Sequence, residues 1–284
     1  MNEFYASIGV TKQAVNKMLR REYRSLEELS YITEIVREVR QDHPSMGVRD
    51  IYYMVQPEGV GRDRFEAYCR SHGLMSKRKV WRCHTTDSSG VTRFEDLVSG
   101  RTADDVNQIW QSDITYFDLD GTFAYMTFIT DRCSRRIVGY SVSRRLFTED
   151  TTLPALRMAL ATRRGDDLSG LVFHSDGGGQ YYSKAFIKET AELGIRNSMC
   201  VTPWDNGLAE RINGVIKNNY LVHWNIHSFD KLLISVDRAV ELYNYKKPHI
   251  KLKRLTPVEY EKKLSLQHVH PISQGALDVT VAKM

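Results

Sequence analysis

A chain of 284 residues has room for about two domains, and with 42% of its residues hydrophobic it can bury a real core. No stretch approaches the roughly 18 consecutive apolar residues that a membrane span needs. The start, Met1-Asn-Glu-Phe-Tyr5, lacks the basic and apolar regions of a secretory leader, so a cytoplasmic protein is expected. The net charge of +5 is unevenly spread: residues 1–100 carry 16 Lys/Arg against 14 Asp/Glu, residues 101–210 carry 12 against 15, and residues 211–284 carry 12 against 6. An acidic middle beside a basic flank suits an enzyme of nucleic acids, with cations for phosphates and carboxylates for metals.

Residues 4–21 read as two short helices around Gly9. Phe4, Ile8, Val10, Val15, Met18 and Leu19 are the apolar positions and Thr11 is a candidate N-cap. Lys12, Gln13, Asn16 and Lys17 fall on the exposed face. The pattern is helix-turn-helix-like, which makes Lys12 and Lys17 candidate DNA contacts, although a helix pair that merely packs reads the same way. Ser25 to Asp42 reads as a helix: Ser25 caps it, Glu27 and Glu28 favour its first turn, and Leu26, Leu29, Ile32, Ile35 and Val36 form the apolar stripe. His43-Pro44 ends it. Helices from Gly47 to Val55 and from about Arg62 to His72 follow, the latter closed by Gly73. Arg62, Arg64, Lys77, Arg78, Lys79 and Arg82 belong to the densest basic segment of this half. Most such runs are solvated faces, but Trp81 among these cations favours contact with DNA.

Residues 84–106 are rich in turn formers and read as a linker, with Phe94 to Val98 a short structured island. Strands then begin. Gln108 to Phe117 and Ala124 to Asp131 form a hairpin through Asp120-Gly121, and Ile137 to Val142 is a third strand. A helix from Thr151 to Arg163, a strand from Leu171 to Ser175, a helix from Lys184 to Leu193 and a strand from Ile195 to Cys200 come next. Asn206 caps a last long helix running to about Val222. Three antiparallel strands followed by helix, strand, helix, strand and helix is an RNase H-like succession, an α/β fold with a mixed five-stranded sheet. The expected domains are a helical DNA-binding region over 1–83, the linker over 84–106, the RNase H-like core over 107–225 and a basic helical C-terminal segment over 226–284. Cys69, Cys83, Cys133 and Cys200 show no C-x-x-C spacing and read as reduced thiols, with no zinc module.

Three acids organise the middle: Asp113 in Trp110-Gln-Ser-Asp-Ile-Thr-Tyr116, Asp176 in His174-Ser-Asp-Gly-Gly-Gly-Gln-Tyr181, and Glu210 in Asp205-Asn-Gly-Leu-Ala-Glu-Arg211. A carboxylate among buried strand residues is costly unless it is paired or holds a metal. Three converging carboxylates suit Mg²⁺, which binds through a few carboxylates together with substrate phosphates. Asp176 ends its strand at a glycine turn, the edge of an open α/β sheet where ligands bind. Glu210, Asn213 and Lys217 share one helix face. Alone, a Glu and a Lys on a helix are usually a solvated pair. Asp118, Asp120 and Asp131 sit at strand ends or turns, where Asp serves local hydrogen bonds, and His174 reads as a core histidine.

Together these segments resemble the DDE transposases of bacterial insertion sequences, in the retroviral integrase-like superfamily, and within them the catalytic (OrfB) protein of the insertion-sequence-three family. The matching pieces are Trp110…Asp113-Ile-Thr-Tyr116, His174-Ser-Asp176…Gly179-Gln-Tyr181, Trp204-Asp-Asn206…Ala209-Glu-Arg211…Lys217, and Tyr243-Asn-Tyr-Lys-Lys-Pro-His249…Leu252…Leu255-Thr-Pro257. The resemblance implies an RNase H-like domain holding two Mg²⁺, or Mn²⁺, through Asp113, Asp176 and Glu210. It implies nicking at element ends and joining of the 3′-hydroxyl to DNA, with Lys217, and with it Asn213 and Arg211, contacting end DNA. Its partners would be double-stranded DNA, at the terminal inverted repeats and the target, and a second copy or larger oligomer on that DNA, at the bacterial nucleoid. Two departures stand out: 33 residues separate Asp176 from Glu210, a shorter interval than in many relatives, and a glycine triplet follows Asp176. Two other readings share these residues: a nuclease that only hydrolyses, and a catalytically idle DNA-binding regulator descended from a transposase.

Overall fold

A computed structural model describes residue 9 and residues 11–76, 94–200 and 206–269, without the side chains of 21–28 and 268–269. Its described residues fall into two units. One holds the N-terminal helices with residues 218–223, and the other holds residues 94–217 and 224–269.

In the helical unit, helices run over Lys12–Leu29 (α1), Tyr31–Asp42 (α2), Val48–Val55 (α3) and Arg62–Ser71 (α4). The Thr11 hydroxyl accepts from the Ala14 N–H at 3.1 Å, so α1 does begin on a side-chain cap. One expectation fails: Ser25 lies inside α1 and starts no helix, and the break falls at Ser30, which is itself in helical geometry and offers no side-chain cap. Of the apolar positions in the first turns of α1, Met18 is 60% and Leu19 41% exposed. The core lies further on, where Leu29, Ile32, Val36, Val48, Ile51, Phe65 and Tyr68 are buried together. The Tyr68 hydroxyl meets Thr33 Oγ1 at 3.0 Å, and Arg49 grips Glu66 with two bonds of 2.7 and 3.0 Å. Within this unit the Tyr220 hydroxyl lies 3.0 Å from His43 Nδ1.

The second unit grows from a hairpin. Strands Ile109–Leu119 (β1) and Thr122–Asp131 (β2) pair antiparallel, from Trp110 opposite Asp131 to Leu119 opposite Thr122. Asp120 and Gly121 turn between them with φ of 52° and 91°, the two positive angles a tight hairpin turn demands. The Asp118 carboxylate accepts the Gly121 N–H at 2.7 Å. Ile137–Ser143 (β3) pairs antiparallel with β2, while Val172–Ser175 (β4) and Arg196–Met199 (β5) add in parallel beside β1, in the order β3-β2-β1-β4-β5. This is the mixed five-stranded, RNase H-like sheet that the sequence predicts.

Thr152–Thr162 (α5) and Lys184–Glu192 (α6) cover one face. There Trp110, Ile129, Val138, Leu153, Leu156, Phe173, Tyr181 and Phe186 form the main core. α5 approaches so closely that a Cβ on Gly139 would stand 2.8 Å from that of Ala159, which only glycine permits. After β5 comes Gly207–Asn219 (α7), shorter than the expected reach to Val222; a 3-10 turn, Leu221–His223, follows it.

Phe229–Tyr245 (α8) packs against β3. Asn244 accepts from the Ile137 N–H at 3.0 Å and donates to its carbonyl at 2.9 Å, and the Tyr140 hydroxyl donates to Asp237. Pro257–Val269 (α9) opens with a capping box in which Thr256 Oγ1 accepts from the Glu259 N–H and Glu259 accepts from the Thr256 N–H. That explains the Leu255-Thr-Pro257 motif as a helix start. Glu261 of α9 then accepts from Ser134, Arg136 and Arg163. The island expected over Phe94 to Val98 packs onto this unit: Val98 is buried with Ile109 and Val172, and the Leu97 N–H donates to Ser198 Oγ. Among the described residues no helix is long and apolar enough to cross a membrane.

Candidate active site

Strand alternation sends Trp110 and Ser112 of β1 to the α5/α6 core and Gln111, Asp113 and Thr115 to the opposite face. Each of those three meets α7 or the residue just before it. Gln111 Nε2 donates to Asn206 Oδ1 at 3.4 Å, Asn213 Nδ2 donates to Asp113 Oδ2 at 2.8 Å, and Lys217 Nζ donates to Thr115 Oγ1 at 3.3 Å. Asn206 also donates to the Ser112 carbonyl at 2.9 Å. It is 2% exposed and spends both ends of its amide on β1, where the sequence had suggested a helix cap.

β1 and β4 end their parallel pairing at Ser112 opposite Ser175. Asp113 and Asp176 are the next residue on each strand, so the register alone makes them neighbours. Asp176 Oδ1 accepts from the Gly178 N–H at 3.1 Å. A Cβ on Gly178 would press to 3.1 Å from that same oxygen, so the middle glycine of the triplet keeps the loop close to the carboxylate. Beneath them Tyr181 is fully buried, its hydroxyl 2.9 Å from Ser112 Oγ.

Burial pushes the Asp113 carboxyl up to about 7, helped by the negative charges of Asp176 and Glu210; the Ile114 N–H and Asn213 oppose the shift. Asp176 is raised as well, by burial, against the pull of the Gly178 N–H. Among the described residues neither aspartate has an ion-pair partner. Glu210 sits exposed in the first turn of α7, within reach of Asp113 electrostatically. Among the described residues no three His, Cys, Asp or Glu side chains close around a single ion position as they stand. The donor set still fits a hard divalent cation: two oxygen-only groups stand half-buried side by side at a charge cost that a cation would remove, and the charge of a third carboxylate, Glu210, reaches Asp113 from a helix start.

The remaining candidates scatter. Lys217 is buried, 5% exposed, with its ammonium 4.8 Å above the Tyr116 ring, so it supports β1 and offers no surface charge. Arg211 is exposed beside Glu210. In the helical unit Lys12, Lys17, Arg62 and Arg64 are exposed, but Arg62 is engaged by Asp63 at 2.7 Å. Lys77, Arg78, Lys79 and Arg82, together with Trp81, Trp204, residues 4–8 and part of the expected linker, lie outside the described residues. Gln111, Thr115 and Tyr181 carry the support of the site and were not singled out for it. For Gln111 and Thr115 the signal was present, as polar residues two positions to either side of Asp113 on the same strand.

Two models, each for an integrase core domain, match residues 103–203 and 193–257. The chain is similar to a putative transposase for insertion sequence element IS986/IS6110 of Mycobacterium tuberculosis, 30% identical over 264 residues, covering 89% of this chain and 93% of that protein. It is also similar to the transposase for insertion sequence element IS629 of Shigella sonnei, 31% identical over 234 residues, covering 81% and 78%. Among solved structures, the HTLV-2 integrase catalytic core domain in complex with magnesium has a TM-score of 0.44 at 22% identity, covering 55% of this chain and 96% of that one.

Proposed function

The chain belongs to the transposases of bacterial insertion sequences that carry an integrase-like core, and we propose that it cuts DNA at its element's ends and joins the freed 3′-hydroxyl to target DNA. Asp113, Asp176 and Glu210 would hold the divalent metal, two Mg²⁺ or Mn²⁺ ions. The observation that carries this reading is the register: two unpaired aspartates stand one step beyond the last paired residues of adjacent parallel strands, with the glutamate helix anchored to the same strand. When bound, such ions stabilise the attacking and leaving oxygens of an in-line displacement.

The chain's own contribution is position. Asn213 fixes one oxygen of Asp113, the Gly178 N–H fixes one of Asp176, and Asn206 keeps β1 beside the helix that bears Glu210. In the joining step the element's 3′-oxygen forms a bond to a target phosphorus as that phosphorus releases its own 3′-oxygen. One phosphodiester replaces another, and no bond to the protein is needed. Lys12, Lys17, Arg62 and Arg64 of the helical unit are proposed to hold the terminal repeats, and joining two ends calls for at least a dimer on DNA.

Labelled element-end duplex incubated with the protein, target DNA and Mg²⁺ tests the reading. Joined products that vanish in Asp113→Asn and Asp176→Asn are expected. Hydrolysis without joining would mean a nuclease, and binding without chemistry a regulator.

A further inference from the structure

Gln180 stands four residues beyond Asp176 and belongs neither to the carboxylate set nor to the core. Three glycines, Gly177 to Gly179, lie between. A glycine run has no side chains to anchor it and loses more freedom on ordering than any other residue type, so the loop that places Asp176 must be held from outside. Its near end is held by β4, which stops at Ser175. At its far end Tyr181 is buried, with its hydroxyl on Ser112 and its N–H donating to the Gly178 carbonyl at 3.0 Å.

Gln180 ties that far end to a second place, the turn between β3 and α5. Its Nε2 donates to the Leu146 carbonyl at 2.9 Å, and its own carbonyl accepts from Thr148 Oγ1 at 3.2 Å and from Thr152 Oγ1 at 3.4 Å. Both threonines are buried. The turn is itself well fixed: the Phe147 carbonyl accepts the N–H groups of Asp150 and Thr151 and the Thr151 hydroxyl, and Ser143 Oγ bonds both backbone groups of Arg145. The Gln180 amide has one orientation here, because a reversed amide would set its oxygen against the Leu146 carbonyl. That oxygen points instead to the glycine loop, 3.4 Å from where a Cβ on Gly178 would stand, and the same point is 3.1 Å from Asp176 Oδ1. One side chain therefore spans from the turn to the loop whose Gly178 N–H holds the Asp176 carboxylate.

We infer that Gln180 is a positioning residue for the metal site: it braces the glycine loop against the turn before α5 and so sets Asp176 for the ion. This rests on the reading of Asp176 as a metal ligand. The test takes two readouts on Gln180→Met, which keeps the length of the side chain and loses its amide. In EDTA, hydrogen–deuterium exchange of the peptide over residues 176–182, followed by mass spectrometry, is expected to speed up roughly 3–10-fold. Affinity for Mn²⁺, read from the electron paramagnetic resonance of the free ion, is expected to fall roughly 10-fold. Arg157→Gln, which cuts an ion pair between α5 and α6, is expected to leave both at the wild-type value. Wild-type exchange in Gln180→Met overturns the brace. So does faster exchange with wild-type Mn²⁺ affinity, since the loop would then move without consequence for the ion. An equal effect of Arg157→Gln overturns it too, because the loss would come from a general loosening of the fold. A wild type that binds no Mn²⁺ would sink the metal reading of Asp176 alone, and the exchange in EDTA would still decide whether Gln180 holds the loop.

Discussion

Asn213 donates to Asp113 across 2.8 Å, joining the face of α7 that also bears Glu210 to the strand that bears the first aspartate. The bond orients one carboxylate oxygen and favours the charged form of an acid that burial would otherwise keep protonated. Asn213→Ala is therefore expected to raise the Mg²⁺ concentration for half-maximal joining by roughly 10–100-fold. An unchanged metal requirement would show that the amide is incidental.

Asp113 also carries a stability signature. Its acidity is displaced from the usual carboxylate range up to about 7, so without metal the folded chain holds a proton that the unfolded chain has released. This contribution is favourable to folding at low pH and is lost as pH rises from about 4 towards 7. Asp113→Asn should then abolish joining while raising the melting temperature in EDTA at pH 8. A variant that is both inactive and less stable would contradict this account.

His249 works in the opposite sense. Burial, with Lys247 and Arg135 nearby, lowers its proton affinity to about 3, against 6.5 in the unfolded chain. Its contribution is complete above 6.5 and fades as pH falls toward 3, at most about 1.4 kcal/mol per pH unit. Denaturant melts of His249→Gln should show a shallower loss of stability than the wild type between pH 6 and 4. Parallel curves would rule the histidine out as their source.

The Tyr181 hydroxyl and Ser112 Oγ satisfy each other inside the core. Tyr181→Phe leaves a buried serine without its partner and should cost about 1–3 kcal/mol; adding Ser112→Ala should return part of that loss. Additive losses in the double variant would mean that the two groups do not act as a pair.

Gly139 has no room for a methyl group, with Ala159 N 2.7 Å and Ala159 Cβ 2.8 Å from where it would sit. Gly139→Ala should force α5 off the sheet and cost about 1–3 kcal/mol. The midpoint of urea unfolding measures it, and an unshifted midpoint would mean that the helix yields freely.

The second unit was legible because its signals are local. Asp120-Gly121 dictates a two-residue turn, and most of its helices and strands end within two residues of where caps and alternation place them. The helical unit was harder to read. Ser25 has the chemistry of a cap, but α1 is already under way there and a helix in progress needs none. Met18 and Leu19 have helical spacing, yet spacing says which residues share a face and not whether anything covers it. The site divided along the same line. Asp113 and Asp176 announced themselves by the cost of their surroundings, whereas Lys217, expected to contact end DNA, is buried with its ammonium over the Tyr116 ring. Asn206 needs the sheet to be folded before its amide has anything to hold.

The polar contacts between β1 and α7 are amides, a hydroxyl and an ammonium, and most of them are buried. Removing one partner leaves the other buried without a substitute, which costs about 1–3 kcal/mol. The two aspartates are thus set by the sheet's register, while the helix that carries the glutamate is set by this polar seam. A change at Gln111, Thr115 or Asn206 would then reach the glutamate without touching a carboxylate.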